Sequence, residues 1–159
     1  MTITFEKAAE RHLGEVLAWL EAEKSSAGGG FYCNRDVIAR RFNQGSGICA
    51  FLNGSIVAFC VFWFHKLEAG IDIIEVHPQF RRQSIGSQLM SETVEQLRSM
   101  NARFIDVECT SQEGEVLCRA NGFEDYTDPI NYRSASDNPT LRRYLSDWRP
   151  EVKPYWYMS

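Results

Sequence analysis

The longest uninterrupted apolar run in this chain, Ile56 to Phe64, is nine residues. That is under half of the roughly 20 needed to span a bilayer as a helix, so no membrane segment is expected. Cysteine and histidine number five and three. The five cysteines, Cys33, Cys49, Cys60, Cys109 and Cys118, are odd in number and show no C-x-x-C spacing. Several fall in apolar runs, which argues against a disulfide framework and against a zinc site. His12, His65 and His77 are too scattered to ligate a metal together, so no metal is expected. Positive charge is in deficit: 17 Lys and Arg stand against 21 Asp and Glu, a net charge of -4. Nucleic-acid binding driven by bulk charge is therefore not expected. Met1-Thr2-Ile3-Thr4-Phe5 has neither the basic nor the apolar region of a signal peptide, so the expectation is a cytoplasmic protein with reduced thiols. Internal repeats and long linkers are missing too, and 159 residues suit one domain with a real core.

Hydrophobic periodicity orders what is there. Residues 2–6 read as a strand, and residues 9–24 as a helix with Leu13, Val16, Leu17 and Leu20 on one face. Ser25 to Gly30 reads as a break. A second helix is expected from Asn34 or Arg35 to Phe42, with Asn34 as its cap. Ile48–Leu52 and Ile56–Phe64 read as strands joined by Asn53-Gly54, the dipeptide of a type I′ hairpin. Ile71–Val76 is nearly continuous in apolar residues and reads as a central strand. Residues 85–100 carry a single apolar stripe, Ile85, Leu89, Met90, Val94, Leu97 and Met100, behind a capping Ser84. A strand over Phe104–Cys109 and a helix over 111–121 follow, the latter ending at Asn121-Gly122. Phe123–Tyr126 and Ile130–Arg133 read as a last strand pair. A short helix is expected over Pro139–Ser146, before the aromatic end at Trp148, Tyr155, Trp156 and Tyr157.

The chemistry concentrates where the central strand meets the best helix. Val76-His77-Pro78-Gln79-Phe80-Arg81-Arg82-Gln83-Ser84-Ile85-Gly86-Ser87 runs from strand through a basic loop into a helix start. A helix start offers free N–H groups and a partial positive charge. Two arginines and a glycine for close approach complete a site for a diphosphate.

This run resembles the acyl-CoA signature of the GNAT superfamily of N-acetyltransferases, V-x-P-x-x-R-x-x-G-x-G/A. Val76, Pro78, Arg81 and Gly86 match it, and Ser84 stands at its first Gly. If that position needs a positive φ, serine costs about 1 kcal/mol of strain there. The element order over residues 3–126 is also the GNAT order. The resemblance implies an α/β fold with a mixed, mostly antiparallel central sheet of six to seven strands. It implies a splay between strands 4 and 5 and about four flanking helices. Residues 1–133 are expected to form the acetyltransferase domain. Residues 134–159 are then a C-terminal extension that packs on that domain, covers the cleft or meets a homodimer partner.

The resemblance further implies acetyl-CoA as co-substrate and acetyl transfer to a primary amine by direct attack in a ternary complex. The acceptor is a small-molecule amine, a protein N-terminus or a lysine. Arg81, Arg82, Gln83, Ser84, Ile85, Gly86 and Ser87 would hold the diphosphate, and Ile74 and Val76 the pantetheine and thioester. Ser111 takes the place of a family Asn at the cofactor. Three strand carboxylates are candidates for the base. Asp72 ranks first, four residues before Val76 and expected to share its face with Ile74 and Val76. Asp106 is second, twelve residues before Cys118, a spacing that matches the catalytic Glu and Tyr of ribosomal-protein alanine acetyltransferases. Glu75, expected on the opposite face, is third. Each could instead be a structural ion pair. Cys118 stands where the family carries a Tyr acid, and is either a thiol donor or a small packing residue. Phe31 and Tyr32, after Gly28-Gly29-Gly30, and the loop after Tyr126 would meet the acceptor. The departures at Ser84, Ser111 and Cys118 keep a second function open, a degenerate acyl-CoA-binding sensor or scaffold.

Overall fold

The computed structural model describes residues 2–28, 30–126 and 138–151. Its strands are β1 (Thr4–Lys7), β2 (Gly47–Leu52), β3 (Ser55–His65), β4 (Glu68–Val76), β5 (Phe104–Glu108), β6 (Glu124–Asp125) and β7 (Thr140–Tyr144). Its α-helices are α1 (Glu10–Ala27), α2 (Arg35–Gln44), α3 (Ile85–Ser99) and α4 (Gln112–Ala120). The strands form one sheet in the order β1-β2-β3-β4-β5-β7-β6, antiparallel throughout except for the β4–β5 pair. Asn53 and Gly54 both take positive φ, 51° and 81°, as a type I′ hairpin requires. Among the described residues no helix is long and apolar enough to cross a membrane.

Two apolar layers sandwich the sheet. Ile85, Leu89, Met90, Val94 and Leu97 of α3 and Cys118 of α4 pack on one face with Cys60, Ile71, Ile105 and Val107. Val16, Trp19 and Leu20 of α1 and Ile38 and Phe42 of α2 pack on the other with Ile56, Phe59, Val61 and Ile73.

Several elements depart from the sequence reading. Helix α1 runs through Ser25 and Ser26 to Ala27, and the Ser26 hydroxyl donates to the Ala22 carbonyl at 2.9 Å within the helix instead of ending it. It stops only at Gly28, in the left-handed conformation. Asn34 precedes α2 but makes no side-chain capping bond. Residues 140–144, expected as helix, are strand β7. It lies between β5 and β6, with Leu141 buried in the core. The expected strand Ile130–Arg133 and the boundary at residue 133 lie outside the described residues.

Strand β7 carries the most heavily enclosed charge of this half of the sheet. Arg142 is 8% exposed, with its guanidinium 3.6 Å from the ring centroids of both Phe104 and Tyr126. It donates twice to Asp106, at 2.7 and 3.0 Å. Its neighbours thus supply flat π faces and a bidentate carboxylate, the surroundings a buried guanidinium needs.

The β4–α3 junction is tight. Arg82 and Ser84 both sit at φ 66°, a left-handed region that L side chains occupy under strain. Ser84 is the residue before α3, yet this backbone turns its hydroxyl away from capping, and no side-chain cap bond forms.

Two tests follow from these positions. Ser84→Gly removes the strain and should melt above wild type, by a net ~0.5 kcal/mol after the added freedom of the unfolded chain. Ser84→Val adds β-branching in the same region and should melt below it. Asp106→Asn leaves Arg142 enclosed without its counter-charge. It should cost about 3 kcal/mol, a Tm loss of roughly 6–12 °C in a thermal melt.

Candidate active site

The β4–β5 ladder pairs Glu68 with Phe104, Ala69 with Ile105, Gly70 with Asp106 and Ile71 with Val107, and stops there. From Asp72 to Val76, β4 has no β5 partner, so the sheet opens into a cleft. The cleft has a volume of about 360 Å³ and is walled by Trp63, Asp72, Asp106, Glu108, Thr110 and Thr140, among others. Gly70 admits the Trp63 ring at this wall, because a Cβ there would collide with the indole.

A β-bulge sets which residues face the cleft. Val61 pairs with Ile73 and Phe62 with Ile71, so Asp72 is an extra residue on β4. The insertion reverses the alternation. Ile71, Ile74 and Val76 pack toward α3, whereas Ile73 packs toward α1 and α2. Asp72 accepts from Arg41 of α2 at 2.7 Å, and Glu75 from Arg81 at 2.6 Å beside α1. The expectation that Asp72 shares a face with Ile74 and Val76, with Glu75 opposite, is therefore corrected. Asp72 and Glu75 lie together on the α1–α2 face, and Ile74 and Val76 on the other.

Each of the three strand carboxylates has an arginine: Asp72 has Arg41, Asp106 has Arg142 and Glu75 has Arg81. Burial raises the Glu75 pKa above the usual carboxylate range, against the opposing pull of Arg81. The nearby Glu23 carboxylate adds to the rise. Sequence reasoning missed Glu23, Arg41, Arg142 and Trp63. Glu23 had a signal, since it stands three and seven residues after Leu20 and Val16, on the buried stripe of α1.

The loop expected to hold a diphosphate joins β4 to α3, and one of its side chains turns away from the helix start. Arg82, Gln83 and Ser84 are exposed at the start of α3, and Ile85 is locked into the core. A Cβ at Gly86 would rest against Leu117 of α4 and Val76, and Ser87 accepts from Asn121 at 3.4 Å. Arg81 is that side chain. It folds back so that Nε donates to the Val76 carbonyl at 3.0 Å and Nη2 to both Glu23 and Glu75 at 2.6 Å. His77 packs its ring on Trp19 and Phe80, and burial lowers its pKa.

Ser111 spends its oxygen on capping α4, accepting from the Gly114 N–H at 3.0 Å. Cys118 is 1% exposed within the α3–α4 core and forms no part of the cleft wall. Burial and then the neighbouring Cys109 push its thiol up to about 12. Phe31 and Tyr32 pack against the α1–α2 core, with the Arg35 guanidinium 4.9 Å from the Tyr32 ring centroid. Among the described residues no three His, Cys, Asp or Glu gather as a metal site.

Comparison with known proteins places this architecture. A search of curated sequences gives no match. Solved structures do match, each covering nearly the whole chain. PaiA N-acetyltransferase from Thermoplasma acidophilum, in complex with coenzyme A, superposes with a TM-score of 0.73 at 13% identity, over 91% of this chain and all of that one. The ribosomal-protein-S18-alanine N-acetyltransferase of Escherichia coli gives 0.70 at 15%, over 96% and 99%. A Drosophila melanogaster polyamine N-acetyltransferase that forms N-acetylagmatine gives 0.70 at 13%, over 91% and 100%. At these identities the likeness speaks to the fold. The sequence itself carries the lineage, because the model of the Acetyltransferase (GNAT) family matches residues 6–119. The chain thus belongs to the GNAT acetyltransferase family and, with it, to the acyltransferases.

Proposed function

We propose that the protein moves an acetyl group from acetyl-CoA to a primary amine by direct attack in a ternary complex. The observation that carries this reading is the cleft where β4 and β5 part, with Asp72 on its wall and the start of α3 at the far end of the same strand. The N–H groups of the first turn of α3, with Arg82 beside them, suit a diphosphate. The His77 N–H donates to Val57 of β3, so strand alternation sends the N–H groups of Ile74 and Val76 to the free edge. A pantetheine lying along that edge meets donors for its amides and for the thioester carbonyl, as an oxyanion needs. That one neighbour was solved with coenzyme A supports the same co-substrate here.

The acceptor enters on the α1–α2 face, past Asp72, Asp106 and Glu108. An amine arrives mostly as an ammonium, which this acidic wall attracts. Asp72, positioned by Arg41, takes its proton directly or through water. The freed nitrogen attacks the thioester carbon, a C–N bond forms, the C–S bond breaks, and CoA leaves as a thiolate. Cys118 packs the core in this reading, and the surplus proton that the nitrogen sheds as the amide forms passes through water in the cleft to the departing sulfur. Asp106 positions Arg142 and keeps the β5–β7 wall in place. A second reading, an acyl-CoA-binding sensor, draws on one observation: each of the three candidate bases, Asp72, Glu75 and Asp106, is already tied to an arginine.

Release of free thiol from acetyl-CoA across a panel of amines separates the two readings. Amine-dependent release supports the transferase. A thermal shift with acetyl-CoA but no release with any amine supports the sensor. With an active amine in hand, Asp72→Asn should lower kcat/KM by about 10²-fold or more with its melting temperature nearly unchanged. A wild-type rate from Asp72→Asn removes it from the mechanism.

A further inference from the structure

The sequence assigns Arg81 to a diphosphate, yet its guanidinium closes a cluster of buried carboxylates. Among the described residues it is the one cation within ion-pair distance of Glu23 or Glu75. The two side chains are only 7% and 12% exposed, so two carboxylates against one guanidinium leave a surplus negative charge largely out of water. Glu23 Oε2 bonds to Arg81, but Glu23 Oε1 is buried with no hydrogen-bond partner. It lies against Gly30, where any Cβ would collide with it. An unmatched carboxylate oxygen under a loop is costly, and the cost is met when a positive donor arrives.

We propose that Glu23 and Glu75 form a cation seat for the acceptor, which Arg81 fills while the CoA site is empty. When a diphosphate reaches the start of α3, Arg81 passes to it, and the vacated carboxylates take a positive group of the amine. The inference rests on the reading above, in which the start of α3 holds the diphosphate. The spacing is favourable at both ends. Arg81 is three residues before Ser84, in the same loop. Glu75 is three residues after Asp72 on the same face, about 10 Å along the strand. An amine with a second cationic centre roughly that far away presents one nitrogen to Asp72 and the other to Glu75 and Glu23. The acceptor class is therefore a diamine or an amine carrying a guanidinium, and a mono-amine leaves the seat unfilled.

The test is calorimetric. Wild type and Glu23→Gln are titrated with acetyl-CoA, then with diaminoheptane and heptylamine as probes, with and without CoA. Loss of the Glu23 tie should tighten acetyl-CoA binding by roughly tenfold or more. The gain should vanish in an Arg81→Gln background. A gain that persists there is simple charge repulsion and overturns the exchange. Diaminoheptane should bind wild type only with CoA present, and Glu23→Gln should lose that binding, with heptylamine the same in both. Tighter acetyl-CoA binding without diamine binding overturns the cation seat. An unchanged affinity in Glu23→Gln, with wild type binding acetyl-CoA normally, overturns the inference and leaves the transferase reading standing. Wild type that fails to bind acetyl-CoA overturns both. If the melt of Glu23→Gln shows it unfolded, Glu75→Gln removes the other half of the seat and is read the same way.

Discussion

Beyond Ile71 and Val107 the backbones of β4 and β5 no longer bond to each other. Parallel strands inside a sheet ordinarily stay paired, because an unpaired edge in the interior leaves N–H and C=O groups without partners. Here the ladder ends midway, and β4 continues for five residues, Asp72 to Val76, with one edge open. The rest of the site depends on that opening. It makes the cleft, supplies polar backbone to line it, and carries the chain straight from the cleft to the start of α3. The bulge at Asp72 belongs to the same device. One inserted residue turns Asp72 and Glu75 to the α1–α2 face while Ile74 and Val76 close the α3 core.

An open cleft with several carboxylates needs an account of why it does not repel itself apart. The answer is three arginines from three different elements. Arg41 comes from α2, Arg142 from β7, and Arg81 from the loop before α3. Their environments differ. Arg142 is enclosed between rings and bidentate to Asp106, a fixed structural clamp. Arg41 bonds to Asp72 through Nε alone and reaches Gln44 through Nη1, a looser tie. Arg81 is 39% exposed and serves two carboxylates at once. A half-exposed guanidinium is the one that can move without leaving a buried charge behind on its own side.

Much of this was legible in the order of residues. Helix α3, the Asn53-Gly54 hairpin and the strand-to-helix signature rest on local periodicity and local backbone needs, which sequence displays directly. Ser84 is instructive: the motif asks for glycine, and the serine there does adopt φ 66°. Strand β7 was not legible. Thr140-Leu141-Arg142-Arg143-Tyr144 offers one aliphatic residue, and its place in the sheet depends on Phe104 of β5 and Tyr126, just past β6, flanking Arg142. The face of Asp72 was misread for a similar reason. Alternation is a local rule, and the bulge that breaks it is fixed by the register of β3. Glu23 hid among the exposed charges of Glu21 and Lys24, although its helical phase sets it on the buried stripe.

The thiols show how far a motif position is from a role. Cys118 occupies the family's acid position, and a thiol in water is a better acid than a phenol. Within the α3–α4 core that order reverses, because a thiolate there has neither water nor a cation to face. Its neighbours are Cys109 and Cys60, and the proton is held more tightly, up to about 12. A group held so tightly donates poorly at neutral pH, and it lies outside the cleft where a departing thiolate would need it. Burial acts in the same sense on Glu75, raising its pKa, but there the Arg81 guanidinium opposes it and favours the charged carboxylate. The fold thus divides its polar groups by depth: those sealed behind α3 serve packing, and those on the α1–α2 face keep their arginine partners.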